Sequence, residues 1–235
     1  MPHNGRVPSR SPASRIAFWL GLLMIVGGLG LLGYVGWQFY GTNYTSHRAQ
    51  KKVTQKLTTQ WEEKGRQLNQ LKKLEPQYIP KGQASALIRI PRFGKSYVVP
   101  VLEGTSEDVL AQGYAHFSDS ADPGGRGNYA LAAHRVTHGE PLRRILELRP
   151  GDDVIVETAT TTYTYELDTD PRKLTVPFTG TWVIDPLPKN PQAGGVEPAQ
   201  QKGQRLITLT TCAELFHTDE RTIAFGHLVG KVRKH

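Results

Sequence analysis

Between Ile16 and Phe39 the chain reads IAFWLGLLMIVGGLGLLGYVGWQF, with no formal charge and a single amide, Gln38. A helix needs roughly 20 apolar residues, at about 1.5 Å rise each, to cross a bilayer. This run meets that length and so predicts a transmembrane helix over residues 16–39. Trp19 near one end, and Tyr34, Trp37 and Tyr40 near the other, match the aromatic belts of membrane interfaces. Gly27, Gly28 and Gly30 would let another helix approach closely. Arg6, Arg10 and Arg15 precede the run without an acid, whereas Arg48, Lys51 and Lys52 follow at a greater distance. That asymmetry predicts a basic cytoplasmic tail over residues 1–15 and an extracellular body. The run exceeds a usual signal-peptide core, and no small-x-small cleavage site follows it, so an uncleaved single-pass anchor is expected.

The net charge of +8 invites a nucleic-acid reading, but its distribution argues against one. Residues 1–85 hold 12 Lys and Arg against 3 acids, and residues 86–235 hold 17 against 18. The basicity belongs to the membrane-proximal third, and the remainder is close to neutral. No nucleic-acid partner is expected.

Beyond the anchor, residues 40–83 predict a juxtamembrane helical stalk and linker. Val53, Leu57 and Trp61 are four apart, and Leu68, Leu71 and Leu74 are three apart, with polar residues between them. The helix would lie on the membrane or on the body. The prolines and glycine of EPQYIPKGQ (75–83) mark the linker. From Ala84 the pattern changes to short strands and turns. SALIRIPRF, KSYVVPVLEG, NYALAAHR, DDVIVETAT, TYTYELDT, TWVIDPLP, RLITLTTC and RTIAFGHLVGKV are apolar or alternating runs. SEDVLAQG and EPLRRILELRPGD predict short helices. The whole predicts a mainly β fold over 84–235, one closed β-barrel with short helices.

The one cysteine, Cys212, ends the strand RLITLTTC. Side chains alternate across a strand, so Cys212 shares a face with Thr208 and Thr210, and Thr211 faces the other way. A lone thiol is either a small core residue or a reactive group, and local pattern leaves both open. An unpaired thiol outside the cytoplasm suggests use. Candidate bases are His116, His134, His138, His217 and His227. Antiparallel pairing of RLITLTTC with RTIAFGHL would bring Arg221 to the cysteine's end of the barrel.

TLTTC (208–212), followed by Arg221 and preceded by GNYALAAHR (127–135), resembles the sortase family over roughly residues 84–235. CAELFHTDERTIAFGHLVG and TWVIDPLP are most similar to the class E housekeeping sortases of high-GC Gram-positive bacteria. The resemblance implies a sortase-type barrel of about eight strands. It also implies a cysteine transpeptidase that cleaves a C-terminal LAxTG- or LPxTG-like sorting signal between Thr and Gly. Cys212 would form the thioacyl intermediate, His134 would act as general acid and base, and Arg221 would stabilise the oxyanion. Implied partners are secreted proteins bearing sorting signals and the amine of a lipid II-like cell-wall precursor. Thr210, Thr211 and His116 are further candidates for contact with substrate, and the 185–204 loop is expected to wall the groove.

Alternatives are a pilin-polymerising sortase and an inactive membrane-tethered binding module. The segment before the barrel lacks the Asp-Pro-aromatic lid motif of the pilin class. Residues 186–204 hold one acid, Glu197, so no metal is expected, and no cofactor is implied. Arg135, next to His134, is expected on the opposite face in an ion pair. NYT (43–45) matches a glycosylation acceptor.

Overall fold

The computed structural model describes residues 12–68, 79–201, 203–213 and 219–234. Helix α1 spans Pro12–Gly36 and is followed by a π-helical turn at Trp37–Gly41. Its apolar side chains from Ile16 to Val35 are largely exposed. Among the described residues one helix, beginning at Ile16, is long and apolar enough to cross a membrane.

From Thr42 the chain forms a separate compact unit. Helix α2, Thr42–Leu68, belongs to it and packs on strands β1 (Ala84–Arg89) and β2 (Val99–Glu103). The apolar stripe read from the sequence is the packing face: Leu57 is buried and Val53 and Trp61 are half-buried. Lys234 sits 4.7 Å over the Trp61 ring. Leu71, Leu74 and residues 75–78 of the linker lie outside the described residues.

The other elements are α3 (Glu107–Leu110), β3 (Tyr114–His116), β4 (Gly127–Ala132), β5 (Asp153–Glu157), β6 (Thr161–Leu167), β7 (Thr175–Pro177), β8 (Arg205–Cys212) and β9 (Glu220–Arg233). The ring runs β6-β5-β1-β2-β3-β4-β8-β9 and closes on β6. Closure depends on the length of β9, which pairs with β8 through its first half and with β6 from Gly226 onward. Gly226 marks the change of partner, because a Cβ there would stand 2.5 Å from the Glu166 carbonyl oxygen. β7 adds a short ninth strand on Glu220–Thr222. The fold is the expected closed barrel of eight strands.

Alternation sorts the wall into two faces. Tyr129, Leu131, Ile207, Leu209 and Ala224 point inward, into a core with Val101, Tyr114, Val154, Val156 and Tyr165. Ile223 and Phe225 point outward, where Leu174, Val176, Val183, Trp182 and Val196 cover them. Two sequence expectations change. TWVI is a 3-10 turn, Thr181–Ile184, rather than a strand. Its carbonyls bond to side chains instead of a ladder: the Asn128 amide donates to the Val183 and Asp185 oxygens, each at 3.1 Å. EPLRRILELRPGD contains one 3-10 turn, Ile145–Glu147, in place of a short α-helix.

Candidate active site

Register decides which side chains meet. β4 and β8 are parallel, with Ala130 opposite Thr208 and Ala132 opposite Thr210. The Ala133 amide still donates to the Thr210 carbonyl at 3.1 Å after β4 ends. His134, two residues past Ala132, therefore leaves the wall beside Cys212 and on its face. β8 and β9 are antiparallel, with Thr210 opposite Ile223 and Cys212 opposite Arg221. Ile223 belongs to the outer cluster, so Cys212, His134 and Arg221 gather on the outer face at one rim. The structure brings these three sequence candidates together.

Cys212 is half-buried. The strand end carrying it is tied down from two sides. The Thr211 hydroxyl donates to the Ala133 carbonyl at 2.7 Å. Arg135, buried at 8 % exposure, donates to the Cys212 carbonyl at 3.3 Å and to the Ala213 carbonyl. Arg135 thus binds carbonyls rather than forming the expected ion pair. These three bonds couple the residues on either side of His134 to the end of the cysteine strand. Thr211 is turned away from the cysteine face with its donor engaged, so it braces the strand and does not contact substrate. Thr210 shares the face of Cys212 and is 7 % exposed. One step down, Thr208 donates to Asn128 Oδ1 at 2.8 Å beneath the 181–185 segment. Asn128 was missed in the sequence; an amide inside an apolar strand was its signal. The adjoining loop packs Val183 and Val196 against the outer faces of Ile223 and Phe225 beside the rim.

The His134 ring stacks on His138, with centroids 4.6 Å apart and planes at 29°. Its Nε2 is buried and has no hydrogen-bond partner among the described residues, the Cys212 thiol included. Burial, then the His138 charge, pulls its pKa down to about 4. At neutral pH the ring is uncharged, with a nitrogen ready to take a proton. Arg221 is half-buried. Its guanidinium lies 4.9 Å over the exposed Phe178 ring, and Nη1 donates to the Glu220 carbonyl at 2.9 Å.

His116 does not join them. It faces inward opposite Leu131 at 1 % exposure. Its Nδ1 is 2.8 Å from Glu103 Oε2, and its Nε2 is 3.1 Å from both Ser120 Oγ and the Ala121 carbonyl. The expected contact with substrate is corrected: parity puts the ring on the wrong side of the wall. His227 pairs with Asp168 at 2.7 Å and lies opposite Leu206, near the far end of β8. His217 lies outside the described residues. Glu197 accepts the Asn190 amide at 2.7 Å. Among the described residues no group of three or more His, Cys, Asp or Glu is arranged to hold a metal.

The sortase domain model matches residues 88–229, well over half of the chain. The chain belongs to the sortase family. It is 34% identical over 222 residues to Sortase SrtE1 of Streptomyces coelicolor, covering 89% of this sortase and 56% of that relative. It is 27% identical over 232 residues to Sortase SrtE2 of the same organism, covering 95% and 86%. The chain thus spans little more than half the length of the first relative. Among solved structures it resembles sortase E from Streptomyces avermitilis, with 36% identity, a TM-score of 0.57, and coverage of 66% of this chain and 93% of that one. Sortase E1 from Streptomyces coelicolor, solved with a tripeptide in the active site, matches at 34% identity and a TM-score of 0.54, covering 66% and 94%.

Proposed function

We propose that this sortase is a membrane-anchored cysteine transpeptidase of the class E, housekeeping type. It cleaves an LAxTG- or LPxTG-like C-terminal sorting signal between Thr and Gly and passes the protein to the amine of a lipid II-like cell-wall precursor. Residues 1–15 stay in the cytoplasm, 16–39 span the membrane, and the body works outside. The observation that carries the reading is the pairing of Cys212 with Arg221 beside a buried, unpartnered His134 Nε2 on one face. The likeness to sortase E supports the class, and the tripeptide held in the active site of Sortase E1 supports a peptide substrate.

With its ring neutral, His134 is ready to take the thiol proton. As Sγ attacks the threonine carbonyl carbon, the thiol proton passes to Nε2. The oxyanion that forms accepts from the Arg221 guanidinium, a donor already fixed in place. Collapse breaks the C–N bond, and the imidazolium gives its proton to the departing glycine amine. An incoming amine then attacks the thioester and loses its proton to the same nitrogen. The C–S bond breaks, and the thiolate takes the proton back. Splitting the exchange in two lets one ring serve as base and acid in turn.

The test uses the full chain in detergent with an LAxTG peptide and an amine acceptor, read by mass spectrometry. Transfer between Thr and Gly is expected, with a thioester adduct on Cys212. Cys212→Ala abolishes both, and Arg221→Ala lowers kcat by roughly 10²–10³-fold. Transfer that survives Cys212→Ala refutes the reading.

A further inference from the structure

The loop that leaves the catalytic rim after His134 has an unusual backbone. His138, Gly139 and Glu140 have φ values of 54°, 79° and 49°, three successive residues in the left-handed region. Glycine adopts this conformation readily, but histidine and glutamate do so at a cost, and the surroundings must hold them there. The barrel holds the loop's ends: the Leu142 amide donates to the His134 carbonyl at 3.1 Å, and the Tyr97 hydroxyl donates to the Pro141 carbonyl at 2.8 Å. Neither bond reaches the tip, where the loop's own bonds are short-range: the Glu140 amide donates to the Thr137 carbonyl at 3.1 Å, and Arg143 Nη1 donates to Glu140 Oε2.

The tip is held by the first turns of α2. The Gly139 amide donates to Asn43 Oδ1 at 2.9 Å, and Asn43 Nδ2 donates to Glu140 Oε1 at 2.5 Å. The orientation of this amide is forced, because a backbone N–H can only donate and a carboxylate can only accept. One turn and more along, Gln50, 6 % exposed, donates to the His138 carbonyl at 3.3 Å. The approach is close enough that a Cβ on Gly139 would fall 2.5 Å from Gln50 Nε2. All three left-handed residues therefore bond to α2. A helix that merely shielded apolar surface would need only its stripe further along, at Leu57 and Trp61. What this loop presents to the site is the His138 ring, stacked on His134, with Thr137 Oγ1 3.1 Å from His138 Nδ1 and 3.5 Å from His134 Nδ1.

We infer that the juxtamembrane helix is part of the catalytic unit: Asn43 and Gln50 are positioning residues that hold the 138–140 tip left-handed, and so keep His138 stacked on His134 and the His134 ring in its place at the cysteine's rim. The inference rests on reading His134 as the acid and base. Asn43, which the sequence marks as a glycosylation acceptor, is thereby given an internal role. The segment that tethers the enzyme also sets the geometry of its reaction, since small displacements of a reacting group cost rate steeply.

The test uses the full-length chain in detergent, with kcat and KM for transfer from an LAxTG peptide and the melting temperature measured together. Asn43→Ala is expected to lower kcat roughly 10- to 100-fold, with KM and melting temperature little changed. Asn43→Asp sets two carboxylates against each other and is expected to be as poor. Combining it with Glu140→Gln exchanges donor and acceptor. The carboxylate introduced on α2 then accepts from both the Gly139 amide and the new side-chain amide, and kcat returns close to the wild-type value. Wild-type kcat in Asn43→Ala overturns the inference. So does a loss that tracks melting temperature and is not rescued by the double variant. Failure of the underlying reading looks different: His134→Ala would then retain transfer, whatever the Asn43 variants do.

Discussion

Two histidines with buried ring nitrogens lie along the same wall, and they differ in every respect that matters for chemistry. His116 faces the barrel interior, with a carboxylate on one nitrogen and a hydroxyl and a carbonyl at the other. His134 faces outward at the rim, and its Nε2 has no partner among the described residues. Burial alone therefore does not mark a reactive group. A satisfied imidazole is a fastener that joins β2, β3 and the loop into β4. An unsatisfied one beside a thiol has a proton-accepting site held open and desolvated.

Replacing each ring should separate the two roles. The largest effect is expected from His134→Ala, a fall in kcat of roughly 10²–10⁴-fold with an unchanged melting temperature. Steady-state transfer beside thermal melts reads both quantities. A loss of stability without loss of turnover would erase the contrast. His116→Ala should do the reverse. It strands Glu103 in a largely buried place and costs about 3 kcal/mol of folding stability, seen in denaturant unfolding, while the folded fraction keeps near-normal kcat. A turnover defect in fully folded His116→Ala would show the two histidines to be coupled.

The smallest effect sharpens the electrostatic side of the comparison. The His134 pKa is about 4 in the folded state, below the ordinary value of 6.5. The unfolded chain therefore binds the proton first as pH falls, and stability is lost between 6.5 and 4. The contribution from pH 6.5 to 5.5 is about 1 kcal/mol. Denaturation of the wild type and His134→Gln over that range measures it, with the steeper decline expected in the wild type. Equal slopes would mean that the ring is not desolvated.

Much of this was legible before any coordinates. Alternation in RLITLTTC placed β8 to the residue and gave the parity that separates Cys212 from Thr211. The errors share a cause. TWVI reads as a strand by composition, but its carbonyls are taken by Asn128, far away in sequence. Arg135 reads from its place beside His134 as one half of an ion pair, yet its partners are carbonyls at the end of β8 that no local pattern names. His116 shares its strand's alternation with Tyr114, and only the order of strands in the ring turns that face inward.

The sequence by itself determined the helix long and apolar enough to cross a membrane, the barrel's strands, the family, and the three residue types of the site. Each of these is written in short-range periodicity or in a contiguous motif. Tertiary structure decided that β4 runs parallel to β8, that His134 and not His116 stands beside Cys212, and that α2 reaches back to grip the loop after His134. Those facts depend on register between segments up to about a hundred residues apart. Register is set by how the inward side chains of all eight strands pack at once.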